Sequence, residues 1–378
     1  MSVLLADKCT VVRADLDALF PAIRKAGFET LGPTLRDGAL VIDTIESTRD
    51  LPAGWTDEQS PGSYRLRRRA DEALFAYAVG PTSWKRFLHH PAIRLFQIRS
   101  QQETGWTVVS DNGPPPKLAF IGMRACELHA LSIRDRVLIK GKYAEPDYKL
   151  ARENVFVASV NCSHPAAMCF CTSMNAGPRC PDGFDLAITE ILEGGHRFLI
   201  EVGTEKGRAV LQDVPHREAT DLDLDDAENV INNAKANVRK TIETRGLKQL
   251  LFATVEHPAW ERVARRCMAC SNCTMSCPTC FCTNFEDSSD ITGETAERWR
   301  YWDSCFSQQY SYIHGGSVRN SGAGRYRHFI LHKFASWWDQ FGTSGCVGCG
   351  RCITWCPAGI DITEEIRGIR ESARGGWS

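Results

Sequence analysis

"CMACSNCTMSCP" (267–278) and "CVGCGRCITWCP" (346–357) repeat one spacing, C-x2-C-x2-C-x3-C-P. That run is a ligand set for [4Fe–4S] clusters, and where two runs occur together the fourth cysteine of each ligates the other cluster. One site is then Cys267, Cys270, Cys273 and Cys356. The other is Cys346, Cys349, Cys352 and Cys277. Pro278 and Pro357 turn the chain away after each run, because proline cannot continue a helix. Zinc is the competing reading. Zinc sites usually pair two C-x2-C hairpins around one tetrahedral ion, whereas each run here holds four cysteines within eleven positions.

The two fourth cysteines stand 79 positions apart. A compact βαβ ferredoxin would hold its runs much closer, so the spacing predicts an α-helical ferredoxin-like dicluster domain carrying an insertion. The insertion is aromatic and basic: "ERWRYWDSCFSQQYSYIHGG" and "RYRHFILHKFASWWDQFG". The chain reads as helical from about 226. "AENVINNAKANVRKTIETR" has helical composition and is closed by Gly246, and "LKQLLFATVE" and a helix after Pro258 follow. Asp225 and Asp226 are placed to cap the first of these helices.

Residues 1–225 read as an α/β domain. "GALVIDTI" (38–45), "WTVVSD" (106–111), "KLAFIG" (117–122), "NVFVASV" (154–160), "DLAITEI" (185–191) and "RFLIEVG" (197–203) are short apolar or β-branched runs. "ACELHALSIRDRVL" (125–138) is a helix between two of them, and 49–66 is turn-rich enough to be a surface loop. The domain division is therefore 1–225 and 226–378.

Cys126 follows one expected strand and Cys162 another, with Cys169 and Cys171 close behind. If those strands are parallel neighbours, both cysteines leave carboxyl ends, where open α/β sheets bind ligands. The four thiols then form a third [4Fe–4S] site, or they are buried, inert thiols. Cys280, Cys282 and Cys305 remain near the dicluster as packing groups, sulfur hydrogen-bonding groups or substitute ligands. His164 reads as a packed or surface histidine rather than a ligand. Cys9 and Cys180 carry no pattern.

With 378 residues, 43% hydrophobic and 24% charged, the chain can bury an ordinary core. A net charge of -1 argues against a nucleic-acid binder. Seventeen clustered cysteines suit a reducing cytoplasm. The start of the chain lacks the basic and apolar pattern of a signal peptide, and no run of about 18 apolar residues predicts a membrane span. No G-x-G-x-x-G follows a strand, so no dinucleotide fingerprint is present. Nickel-type and sirohaem-type cysteine pairs are absent. No catalytic residue is assigned.

Together "PGSYRL" (61–66), "GPTSWKRFLHHP" (80–91), "GMRACELHAL" (122–131), "NCSHPAAMCFCTSM" (161–174) and the two cysteine runs carry a family resemblance. The chain resembles the iron–sulfur β subunit of cytosolic, NADP-linked [NiFe] hydrogenases of the sulfhydrogenase type. That family includes the electron-transferring A subunit of anaerobic sulfite reductase. The resemblance implies a non-catalytic electron-transfer subunit with three [4Fe–4S] clusters, the third on Cys126, Cys162, Cys169 and Cys171. It implies as partners a flavin subunit that binds NAD(P)(H) and the small and large [NiFe] subunits, or else sulfite reductase subunits. A redox sensor is the competing class, but a sensor has no need of several clusters in series. Arg351 and Arg266 beside the clusters either tune their charge or merely solvate the surface. Trp302, Trp337, Trp338 and Trp355 are expected to exclude water from them. "RLRRR" (65–69) reads as an exposed basic face or a dock for an acidic partner.

Overall fold

The computed structural model describes residues 7–78, 80–101, 105–109 and 113–374. Its strands in chain order are β1 (Lys8–Val12), β2 (Glu29–Arg36), β3 (Ala39–Thr44), β4 (Trp55–Ser60), β5 (Ser63–Arg68), β6 (Ala92–Gln101), β7 (Gly105–Val109), β8 (Leu118–Arg124), β9 (Val155–Val160), β10 (Leu186–Ile191), β11 (Arg197–Val202), β12 (Arg217–Glu218), β13 (Thr283–Ser289) and β14 (Thr295–Trp302). The helices are α1 (Leu19–Lys25), α2 (Lys85–Leu88), α3 (Ala125–Leu138), α4 (Pro146–Glu153), α5 (Glu205–Leu211), α6 (Asp221–Ala236), α7 (Leu247–Ala253), α8 (Ala259–Ala264), α9 (Asn272–Met275), α10 (Gly322–Leu331), α11 (Trp337–Phe341), α12 (Arg351–Thr354) and α13 (Ile362–Arg374).

An eight-stranded sheet organises the N-terminal half, in the order β12-β1-β11-β10-β9-β8-β2-β3. Its centre, β10-β9-β8-β2, is parallel, and antiparallel strands flank it on both sides. Every residue of β8, β9 and β10 is buried, as expected for parallel strands covered on both faces. Alternate side chains serve opposite cores. Phe156 and Ala158 pack with α1 and α5 through Phe20, Ile23 and Leu211. Val155 and Val157 pack with α3 and α4 through Leu128, Leu131 and Tyr148.

The expected strands all form; the described part of "WTVVSD" is β7, and positions 110 and 111 lie outside the described residues. The helix at 125–138 is α3. The 49–66 stretch is not a plain loop. It contains β4 and half of the hairpin that β4 makes with β5. Its strand residues are mostly polar, so no apolar alternation announced them; the guanidinium of Arg68 lies over the Trp55 ring instead, 4.1 Å from its centroid.

Helix α6 begins at Asp221, capped by Thr220, whose hydroxyl accepts from the Asp223 amide while Asp223 returns a bond to the Thr220 amide. Asp225 and Asp226 thus fall in its second turn, and the expected division at 225/226 lies inside it. The helix stops at Ala236 rather than running to Gly246. Tertiary bonds take over there: Lys240 pairs with Asp361, and the Ile242 amide donates to Ser173 Oγ at 3.1 Å.

Nor is the chain helical throughout after 226. β13 and β14 form a hairpin, and β14 pairs with β6 to make a four-stranded sheet, β13-β14-β6-β7. Both halves of the chain contribute to it. Cross-strand charge pairs such as Arg94–Glu297 at 2.6 Å hold it, and no local pattern foretells them. The remaining helices surround a second core that includes Trp260, Tyr326, Phe329, Ile353 and Ile366. Met168 and Phe170 from the N-terminal half are buried in that same core.

Candidate metal centres

Cys267 and Cys270 lie on the loop that leaves α8, and Cys273 lies in α9, which follows it. Ala269 and Ser271 take positive φ, 51° and 68°, and turn this loop tightly. Non-glycine residues seldom hold that conformation unless their surroundings enforce it. The three cysteines line a cavity with Cys352 and Cys356, walled by Phe306, Tyr326 and Phe329. Cys356 thus comes across from the second run. The Ile360 amide donates to Cys356 Sγ at 3.4 Å, the kind of bond a thiolate ligand accepts.

Cys277 is buried. Its charge acts on Cys346, Cys349 and Cys352, whose thiols are pushed up by burial first and by neighbouring thiols as well; Cys346 rises to about 12. Cys277 goes the other way. Bonds from Cys280, Lys333 and Thr279 hold its thiol well below the ordinary value. Lys333 Nζ donates to Cys277 Sγ at 3.2 Å, and Thr279 Oγ1 lies 3.1 Å from it. The Gly348 amide donates to Cys346 Sγ at 3.3 Å.

Cys126, Cys162, Cys169 and Cys171 line one cavity at the carboxyl ends of β8 and β9, which are parallel neighbours. Cys126 sits in the first turn of α3 and Cys171 opens a short 3-10 turn. Arg124 Nη1 donates to Cys162 Sγ at 3.4 Å and to the His164 carbonyl at 2.8 Å. His164 itself lines a separate polar cavity with Arg69 and Glu190. Cys349 also borders the four-cysteine cavity, as do Glu127 and Arg351.

Among the described residues, no three Cys, His, Asp or Glu side chains converge closely enough to hold a single ion. In a cubane each thiolate binds a different iron, so the ligands ring the cluster instead of meeting at one point. Thiols around a cavity, with amides aimed at their sulfurs, fit that donor set.

Two glycines bring the centres together. Gly348 has φ +66°, and a Cβ there would meet the Phe170 carbonyl carbon at 2.6 Å. Gly350 has φ +75°, and its Cβ would meet the Met168 oxygen at 2.4 Å. The Phe170 amide donates to the Gly348 carbonyl at 2.8 Å, and Cys169 Sγ lies 3.7 Å from the Cys349 carbonyl oxygen. A buried ion pair closes the seam. Arg351 Nη2 donates to Glu127 Oε1 at 2.6 Å, with Glu127 3% and Arg351 8% exposed. Glu127 Oε2 also accepts from Trp84 Nε1 at 3.2 Å and from the Arg124 amide at 3.3 Å.

Other flanking residues divide. Arg266 pairs with Glu365 at the surface, so it solvates rather than tunes. Trp337 is buried, but Trp338 is 50% exposed and shields nothing. Trp355 borders the four-cysteine cavity, and Trp302 lies beneath Lys85, 3.8 Å from Nζ to its ring centroid. The 65–69 basic stretch is partly neutralised by Arg67–Glu58 and Arg69–Asp71 pairs. Burial pushes Cys9 up to about 11 and Cys180 up to about 12, as for inert thiols. Sequence reasoning missed Lys333, Arg124 and Glu127. Only Glu127 had a local signal, as the acid at the third position of α3.

Residues 266–360 match the family described as a 4Fe-4S dicluster domain. Sulfhydrogenase 2 subunit beta of Pyrococcus furiosus is 30% identical over 305 residues, covering 80% of this chain and 86% of that protein. No solved structure matches. No helix among the described residues is long and apolar enough to cross a membrane. A C-terminal dicluster region joined to a sheet-rich N-terminal domain, with that relative spanning both, makes this chain a member of the sulfhydrogenase β-subunit family of iron–sulfur proteins.

Proposed function

We propose that this chain is the electron-transfer subunit of a hydrogenase complex and that its residues hold three [4Fe–4S] clusters in series. Cys267, Cys270, Cys273 and Cys356 hold the first. Cys346, Cys349, Cys352 and Cys277 hold the second, and Cys126, Cys162, Cys169 and Cys171 the third. One observation carries the order: within the second run, Cys352 borders the first cavity and Cys349 borders the third. The second site therefore lies between the other two.

When bound, the clusters supply one-electron transfer at potentials the protein sets by ligation, hydrogen bonds to sulfur, burial and charge. The chain's own residues do the rest. The amides of Gly348 and Ile360 and the guanidinium of Arg124 donate to sulfur. Phe306, Tyr326 and Phe329 wall the inner side of the first site, whose Cys270 is exposed. Glu127 and Arg351 hold the second and third sites in register.

On this reading residues 1–225 carry the third site and 226–378 an α-helical ferredoxin-like pair, interrupted by the β13–β14 hairpin. The partners are a flavin subunit that uses NAD(P)(H) and the small and large [NiFe] subunits, and the complex works in the cytoplasm. Anaerobic purification through a tag on this chain, with iron, nickel and flavin measured on the co-purified assembly, tests it. Nickel and flavin, with about twelve irons on this subunit, are expected. Sirohaem in place of nickel would transfer the chain to sulfite reduction, and about eight irons would remove the third site.

A further inference from the structure

Three buried cations converge on the segment from Cys277 to Cys282. Lys333 is 4% exposed, Lys85 4% and Arg134 1%. Lys333 Nζ donates to Cys277 Sγ at 3.2 Å and to the Gly345 carbonyl at 3.2 Å. Lys85 Nζ reaches the Cys280 carbonyl at 3.3 Å, and Arg134 Nη1 reaches the same oxygen at 3.1 Å. Among the described residues no carboxylate pairs with any of the three. Buried charges are ordinarily paired, because an isolated one is very costly to desolvate. An anion therefore belongs at this place.

The fold delivers Lys333 to it by a special device. Between α10 and α11 the helix passes through a π turn, His332–Ser336. Such turns are rare and concentrate at functional sites. The turn is pinned by the loop that leads into Cys346: the Gly345 amide donates to the Lys333 carbonyl at 2.7 Å, and Ser344 Oγ donates to it at 3.3 Å. Gly345 has no room for a Cβ, which would meet the Trp337 ring at 2.7 Å and Lys333 Cα at 3.1 Å. The first site has nothing comparable. Among the described residues no Lys or Arg lines its cavity, and the Lys333 charge reaches it only through Cys273.

We propose that Lys333 sets the reduction potential of the second, middle cluster and that Lys85 and Arg134 reinforce it, so that this cluster is more readily reduced than its burial alone would allow. Four thiolates outweigh the positive charge of a [4Fe–4S] core, so the bound assembly is an anion. Reduction adds one electron, supplied by the partner or a chemical reductant, and moves no proton. The reduced form is more negative than the oxidised one, so a buried ammonium on a ligand sulfur stabilises it more.

This inference rests on Cys277 being a ligand of the second cluster. The test uses the whole chain, purified anaerobically, with iron quantified and a redox titration followed by electron paramagnetic resonance. Cys277→Ala first identifies the second cluster's signal as the one it removes. Lys333→Met should keep the iron content and move that signal's midpoint more negative, by more than it moves the others, while Lys333→Arg should restore most of the shift. An unmoved midpoint with full iron overturns the role of Lys333. A shift confined to a signal that Cys277→Ala leaves intact overturns the crossed ligation instead. If Lys333→Met loses iron, Lys333→Gln decides, because it keeps a donor without the charge. The same negative shift supports the proposal, and an unchanged midpoint refutes it.

Discussion

Glu127→Ala should loosen the seam between the two halves of the chain. The Arg351–Glu127 pair joins α3 to α12 at 2.6 Å with both side chains buried. Deleting one partner of a buried pair costs about 3–5 kcal/mol, because the other charge is left uncompensated. The Trp84 indole and the Arg124 amide lose their acceptor too, and each orphaned donor adds about 1 kcal/mol or more. A total near 5 kcal/mol is more than three decades in an unfolding equilibrium, since each ~1.4 kcal/mol is tenfold. At a slope of roughly 3 kcal/mol per molar urea, the midpoint falls by more than about 1 M. Anaerobic urea titration followed by circular dichroism and by visible cluster absorbance measures it, with absorbance from the second and third sites lost first. The double variant Glu127→Leu with Arg351→Met removes both charges and should recover much of the loss. A single variant within about 1 kcal/mol of the parent, or a double variant no better than the single, would refute the reasoning.

Gly348→Ala must place a Cβ 2.6 Å from Phe170 at φ +66°; overpacking and strain together cost about 2–4 kcal/mol, seen as a lowered thermal midpoint and iron lost from the third site, and a parent-like midpoint would count against the tight packing of that loop. Cys126→Ala should remove about four irons while leaving the C-terminal signals intact, whereas unchanged iron content would make the N-terminal thiols structural. Burial pushes His328 and His332 down to about 4. The unfolded chain, with histidine near 6.5, therefore binds more protons than the folded one between those values. Stability should fall as pH drops from about 6.5 toward 4, and replacing both with glutamine should flatten that part of an anaerobic thermal-midpoint profile; an equally steep profile would assign the acid loss to other groups.

Much of the candidate site was legible because cluster ligation is partly local. Three cysteines spaced two apart wrap one corner of a cubane wherever the chain runs, so the pattern at 267–278 and 346–357 speaks for itself. The central strands were equally plain, since β8, β9 and β10 are buried on both faces and read as continuous apolar runs. The placement of Cys126 and Cys162 followed from those strands being neighbours. What stayed hidden has no local signature. The β13–β14 hairpin shows no apolar alternation and is held by charge pairs to β6, about two hundred residues earlier. Helix α6 ends at Ala236 because Lys240 and Ile242 find partners at Asp361 and Ser173. The proposed ligand sets thus rest on spacing along the chain. The proposed order of the centres, the ion pair between α3 and α12 and the ammonium beside Cys277 came only from folding, because each depends on side chains that meet across fifty to more than two hundred residues.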